Sequence, residues 1–170
     1  MLTHAANSKT VLSDSVAEML GRLANLFPTV QHAIGQMAQS SKVGLRVTAL
    51  MALFHLSPCA LHESIYKSSL QDRSKKVRMI AARGVDRLMP ALLPELEQAV
   101  KREQDADTRD GLHYILTLLR DGYFVKTDDA GNKWVTCRFK DGGGSISHFF
   151  GKDLFETEGK AWIADKLSRF

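Results

Sequence analysis

Catalytic motifs are missing from this chain of 170 residues. It has no phosphate-binding loop, no dinucleotide fingerprint, no nucleophile elbow and no HExxH pair. The run Gly142-Gly143-Gly144 follows a strand-like stretch but opens no helix, so it lacks the context of a phosphate cradle. Cysteine is also scarce. Cys59 and Cys137 lie far apart in segments of different type, which points to neither a disulfide framework nor a four-ligand zinc site, and reduced thiols are expected. No stretch approaches the roughly 18 consecutive apolar residues of a membrane span, and Met1 to Thr10 is polar without an apolar signal core. A cytoplasmic protein with no membrane partner is the expectation.

What the chain does have is a period. Of its four prolines, three recur in one frame, Leu26-Phe27-Pro28, Leu56-Ser57-Pro58 and Leu88-Met89-Pro90, 30 and then 32 residues apart. Each follows an apolar helical pattern. Proline begins a helix well and disrupts the interior of one, so each marks an end and a new start. A period of this size indicates stacked helical repeats.

Four segments share matching apolar positions at the three-to-four spacing of a buried helical stripe. They are Ser15, Met19, Leu23, Leu26; then Leu45, Ala49, Leu53, Leu56; then Val77, Ala81, Val85, Leu88; then Thr108, Leu112, Leu116, Leu119. Shorter helical stretches fall between them, near 29–39, 60–71 and 91–103. After Leu119 the frame would place another proline, but the chain reads Arg120-Asp121-Gly122. The array is expected to end there.

Residues 28–120 resemble HEAT repeats, including the HEAT-like variants of bilin lyases and alkylpurine DNA glycosylases. The most specific match is Asp72, then Val77-Arg78, Ala81-Ala82 and Val85-x-x-Leu88. The resemblance implies a polar ladder of turn aspartates and helix arginines running along the stack. Arg46, Arg78 and Arg109 stand at the arginine position, while the counterparts of Asp72 are Ser40 and either Glu103 or Asp105.

Composition changes at Asp121-Gly122. Nine of the thirteen aromatic residues fall in the last 48 positions. Strands are expected from Tyr123 to Thr127, from Lys133 to Lys140 and from Ser145 to Phe150, with turns at 128–132 and 141–144. A final helix is expected from about Thr157, as N-cap, to Leu167, with Trp162, Ile163 and Leu167 as its apolar face. Three strands and a helix make a small core, so this segment is expected to cap the last repeat. The pattern leaves open whether Trp134 is core or contact.

The resulting fold class is mainly α: a short HEAT-like α-solenoid, or α-α superhelix, with a small C-terminal β-hairpin or meander plus helix. The array would occupy 1–121, with an extra helix at 13–26 and units at 28–56, 59–88 and 91–120; an aromatic β-plus-helix cap would occupy 122–170.

Net charge is +4 and uneven, with +6 over residues 40–90 and −3 over 91–122. Arg73, Lys75, Lys76, Arg78, Arg83 and Arg87 form a basic cluster, and Lys76, Arg83 and Arg87 share one helix flank. The neighbouring flanks carry Met51 and His55 on one side and Asp107, Gly111 and Tyr114 on the other. A groove of such mixed chemistry suits a protein or peptide better than a duplex, where many phosphates must be neutralised. The expected function is therefore a non-enzymatic interaction scaffold whose partner-binding residues are Met51, His55, Lys76, Arg83, Arg87 and Tyr114, with no cofactor. A nucleic-acid module using helix 75–88 is the alternative, and a HEAT-like lyase or glycosylase a remoter one. His55-x3-Cys59-x2-His62-Glu63 brings metal-ligating types together, but without the paired knuckles of a structural site, so no metal is expected.

Overall fold

The computed structural model describes residues 14–85, 91–139 and 144–169. Among these the chain is mainly helical, with eight α-helices, the last of them C-terminal, and a three-stranded antiparallel sheet. It divides into two compact units between Thr108 and Arg109.

In the first unit the earliest described element is α1, residues 14–24. The unit continues with α2 (Pro28–Ala38), α3 (Val43–Leu53), α4 (Ala60–Ser69), α5 (Lys75–Val85) and α6 (Leu93–Arg102). Pro28 opens α2 at its first position, where the missing N–H costs nothing. Leu88 and Pro90 lie outside the described residues, and Pro94, at the start of α6, is the proline that opens a helix there. Packing follows the repeat: α2 lies on α3 and α4 on α5 within pairs, and between pairs like meets like, α2 against α4 and α3 against α5. The core consists of Ala49, Leu50, Ala52 and Leu53 on α3 with Val77, Ala81, Ala82 and Val85 on α5, all fully buried. Small side chains let these two helices approach closely.

Two glycines set the closest approaches. A Cβ on Gly84 would lie 2.2 Å from the Tyr66 ring, so α5 packs against α4 only because that side chain is absent. A Cβ on Gly21 would lie 2.2 Å from the Ala52 carbonyl oxygen, which seats α1 on the end of α3. This contact overturns the expected orientation of α1. The buried face is Ala17, Gly21 and Ala24, and the apolar stripe Met19, Leu23, Leu26 points to solvent. Spacing identified an amphipathic helix, but the small-residue face fits closer to α3. Leu45, expected in the core, is also exposed at 40%.

The helix α7 (Ala106–Asp121) carries the boundary between the units. In the second unit, Gly122 turns the chain at φ 81°, in the left-handed region that favours glycine, and the sheet follows. Its strands are β1 (Tyr123–Thr127), β2 (Lys133–Arg138) and β3 (Ser145–Phe150), in the order β1-β2-β3. The register pairs Lys126 with Trp134 and Trp134 with Phe149. Val135, Cys137 and Phe150 point inward and pack with Ile163, Trp162 and Leu167 of α8 (Lys160–Arg169). The final helix starts later than expected. Thr157 is not its N-cap: Phe155–Gly159 form a π-turn, in which the Leu154 carbonyl accepts from both Glu158 and Gly159 N–H. The wider turn lets Phe155 join the core beneath the sheet.

Candidate functional site

Along the turns of the first unit, arginines reach forward to carboxylates of the next helix pair. Arg46 donates from Nε and Nη2 to Asp72 at 2.7 and 2.9 Å, and Arg78 does the same to Glu103 at 2.6 and 2.8 Å. Each arginine also binds back to a preceding turn, Arg46 to the Ser40 and Ser41 carbonyls and Arg78 to the Asp72 carbonyl. Burial pushes the Asp72 carboxyl up, but the Arg46 hydrogen bonds, the Ser74 N–H and the nearby Arg46 and Arg73 charges outweigh it and hold the group below its usual value. Glu103 is likewise raised by burial and lowered further by Arg78 and by the Asp105 and Gln104 N–H groups. Glu103 is thus the residue that meets Arg78. Asp105 has a different task, capping α7 by accepting from the Thr108 N–H and hydroxyl and pairing with Lys75; these contacts, the hydroxyl first, hold its carboxyl at about 2. Arg109 is exposed and has no ion pair among the described residues.

The helix-flank residues have a mixed setting. Met51 is half-buried, while His55, Lys76 and Arg83 are exposed. Arg87 lies outside the described residues. Tyr114 belongs to the second unit, where its half-buried ring meets Phe124 edge-on at 4.8 Å. Of the basic cluster around α5, Lys75 is paired with Asp105, Arg78 with Glu103, and Arg73 donates to the Ser41 carbonyl. Lys76 and Arg83 have no side-chain partner among the described residues, and Arg73 has a backbone carbonyl but no ion pair. That leaves little for a phosphate backbone.

The histidine–cysteine cluster has a structural use. His62 is buried, its Nδ1 accepts the Cys59 N–H at 3.2 Å, and its Nε2 lies 3.0 Å from the Leu53 carbonyl oxygen. Because Nδ1 accepts, Nε2 carries the proton and donates it. Both nitrogens are therefore spent joining the end of α3 to the start of α4. No group of three or more metal-ligating side chains comes together among the described residues. Asp107 and Asp110, beside Tyr114 in sequence, are exposed carboxylates.

Two exposed surfaces emerge, one on α1 that the residue pattern had placed in the core and one on the aromatic C-terminal module. On α1 and the turn after it, Val16, Met19, Leu23, Leu26 and Phe27 form an apolar stripe, with Met19 54% and Leu26 72% exposed. Part of it lines a shallow depression of about 310 Å³ bordered by Glu18 and Arg22. On the sheet, Trp134 and Phe149 face outward, 50% and 44% exposed, with ring centroids 5.0 Å apart. Trp134 is a surface residue. Alternation in β2 carried that signal, since Val135 and Cys137 occupy the opposite face. Comparisons with protein-family models, with curated proteins and with solved structures find no match to this chain.

Proposed function

We propose that the chain is a non-enzymatic interaction scaffold of HEAT-like helix pairs that binds a protein partner. The observation that carries this reading is the exposed stripe Val16, Met19, Leu23 and Leu26 on α1. In the frame of the repeat, α1 corresponds to α3 and α5, the second helices of their pairs. Those helices are each covered by a first helix, α2 and α4. No described residue occupies that position over α1. The occupant that fits is an amphipathic helix of a partner, laid along the stripe with its apolar positions three and four residues apart. The stability of helical arrays depends on covering such ends.

The buried ion pairs support the same reading, because they hold successive turns in register and give the array a stiff frame. Nucleic-acid binding by α5 is the weaker reading, since Lys75 and Arg78 are already ion-paired and the nearby Arg73 is engaged by the Ser41 carbonyl. A cytoplasmic location suits two free thiols. No described helix is long and apolar enough to cross a membrane. The test is affinity capture from the native host after nuclease treatment, with Leu23→Asp as the comparison. A stoichiometric protein partner lost in Leu23→Asp supports the reading; capture of nucleic acid alone, or of the same proteins by both forms, overturns it.

A further inference from the structure

The outer face of the sheet carries one aromatic ring on each strand. Phe124 on β1, Trp134 on β2 and Phe149 on β3 lie on the same side by register, and Tyr114 of α7 meets the Phe124 edge at 4.8 Å. Adjacent strands run about 4.8 Å apart, close enough for successive flat groups to rest on neighbouring rings. Trp134 and Phe149 are the open part of this row, each about half exposed. The other described positions on the face are Lys126, Thr136, Arg138, Ser145 and Ser147, none of them a carboxylate. Thr136 and Ser147 hydrogen-bond to each other at 2.9 Å in its middle.

We propose that this face is a stacking platform for single-stranded nucleic acid. Exposed bases present planar faces to Trp134 and Phe149, while Lys126 meets the phosphate between them. A protein partner fits less well. Burying it here would strip water from Lys126, Ser145 and Ser147, residue types depleted in the cores of protein interfaces. A duplex fits poorly too, because its bases are already stacked and offer no free faces. Stacking without base-edge contacts makes the platform tolerant of sequence. The site belongs to the second unit and is independent of the α1 stripe.

The experiment is fluorescence anisotropy of the full chain with labelled oligo-dT, oligo-U and a duplex of equal length at low salt. The single strands bind and quench tryptophan fluorescence, and the duplex binds at least tenfold more weakly. Trp134→Thr and Phe149→Thr, which keep strand-compatible residues at surface positions, each weaken binding about tenfold with unchanged melting curves. Neutralising one phosphate predicts a slope of log affinity against log salt of about −0.7, reduced by Lys126→Gln. Lys76→Ala with Arg83→Ala, on α5, leaves binding unchanged. The proposal is overturned if no strand binds, if binding survives both aromatic substitutions, or if the α5 pair abolishes it. It is equally overturned if Trp134→Thr changes only self-association.

Discussion

Arg46 holds Asp72 of the following helix pair through two hydrogen bonds across 26 residues of sequence, and Arg78 repeats the arrangement with Glu103 across 25. The pairs are largely buried, so both the attraction and the cost of stripping water are large. Removing one partner leaves a charge without compensation, whereas replacing both is far less damaging. Arg46→Met is therefore expected to lower stability by about 3 kcal/mol, and Arg46→Met with Asp72→Leu to recover much of that loss. Urea unfolding of the two single variants and the double variant measures the coupling. Additive losses would mean that the pair is only a contact of convenience.

The same carboxylates set the acid response. Asp72 and Glu103 are held below their usual values in the folded chain, so they bind protons less readily than in the unfolded chain. Their stabilisation is present above the ordinary carboxylate range, roughly pH 4, and is lost as pH falls through the lowered folded values. Asp105, held at about 2, extends that window downward. Urea midpoints are expected to be nearly flat from neutral pH to about 5 and then to fall steadily. Asp72→Asn should make that fall shallower.

Close packing at Gly84 allows no side chain. In Gly84→Ala the new methyl group would meet the Tyr66 ring, which is fully buried. A loss of about 1–3 kcal/mol is expected, despite alanine's better helix propensity. Gly44→Ala is the control, because nothing lies within 4 Å of a Cβ there. It should be neutral or stabilising in thermal melts.

The thiols should respond differently to a disulfide reagent. Cys137 is fully buried in the sheet core and its thiol is pushed up by burial, whereas Cys59 is half-buried at the start of α4. A titration at mildly alkaline pH is expected to modify Cys59 in the native chain and both thiols in denaturant. Rapid modification of Cys137 in the native chain would contradict the described core.

Much of the architecture was legible because it rests on local chemistry. Pro28 and the apolar spacing of Val77, Ala81 and Val85 act within a turn or two of helix, and the alternation of Val135 and Cys137 against Trp134 acts within one strand. Relations between elements were harder to read. The Met19, Leu23 and Leu26 stripe is apolar at the correct period, yet Ala17, Gly21 and Ala24 are buried instead, because closeness to α3 depends on what is missing from a side chain. The choice of Glu103 over Asp105 as the residue meeting Arg78 turns on the Glu103–Arg78 approach across the turns and on the Thr108 cap that engages Asp105. The later start of α8 reflects a π-turn, for which Thr157 gave a plausible but misleading capping signal.

The central claim, that the open stripe of α1 receives a protein, is tested most directly by site-specific photo-crosslinking in the native host. A photoreactive residue at Leu26 is compared with one at Glu63, an exposed position on α4. The account predicts a discrete protein adduct from position 26 that is absent from position 63 and disappears when Leu23→Asp is added. The same adducts from both positions, or none from position 26, would contradict it.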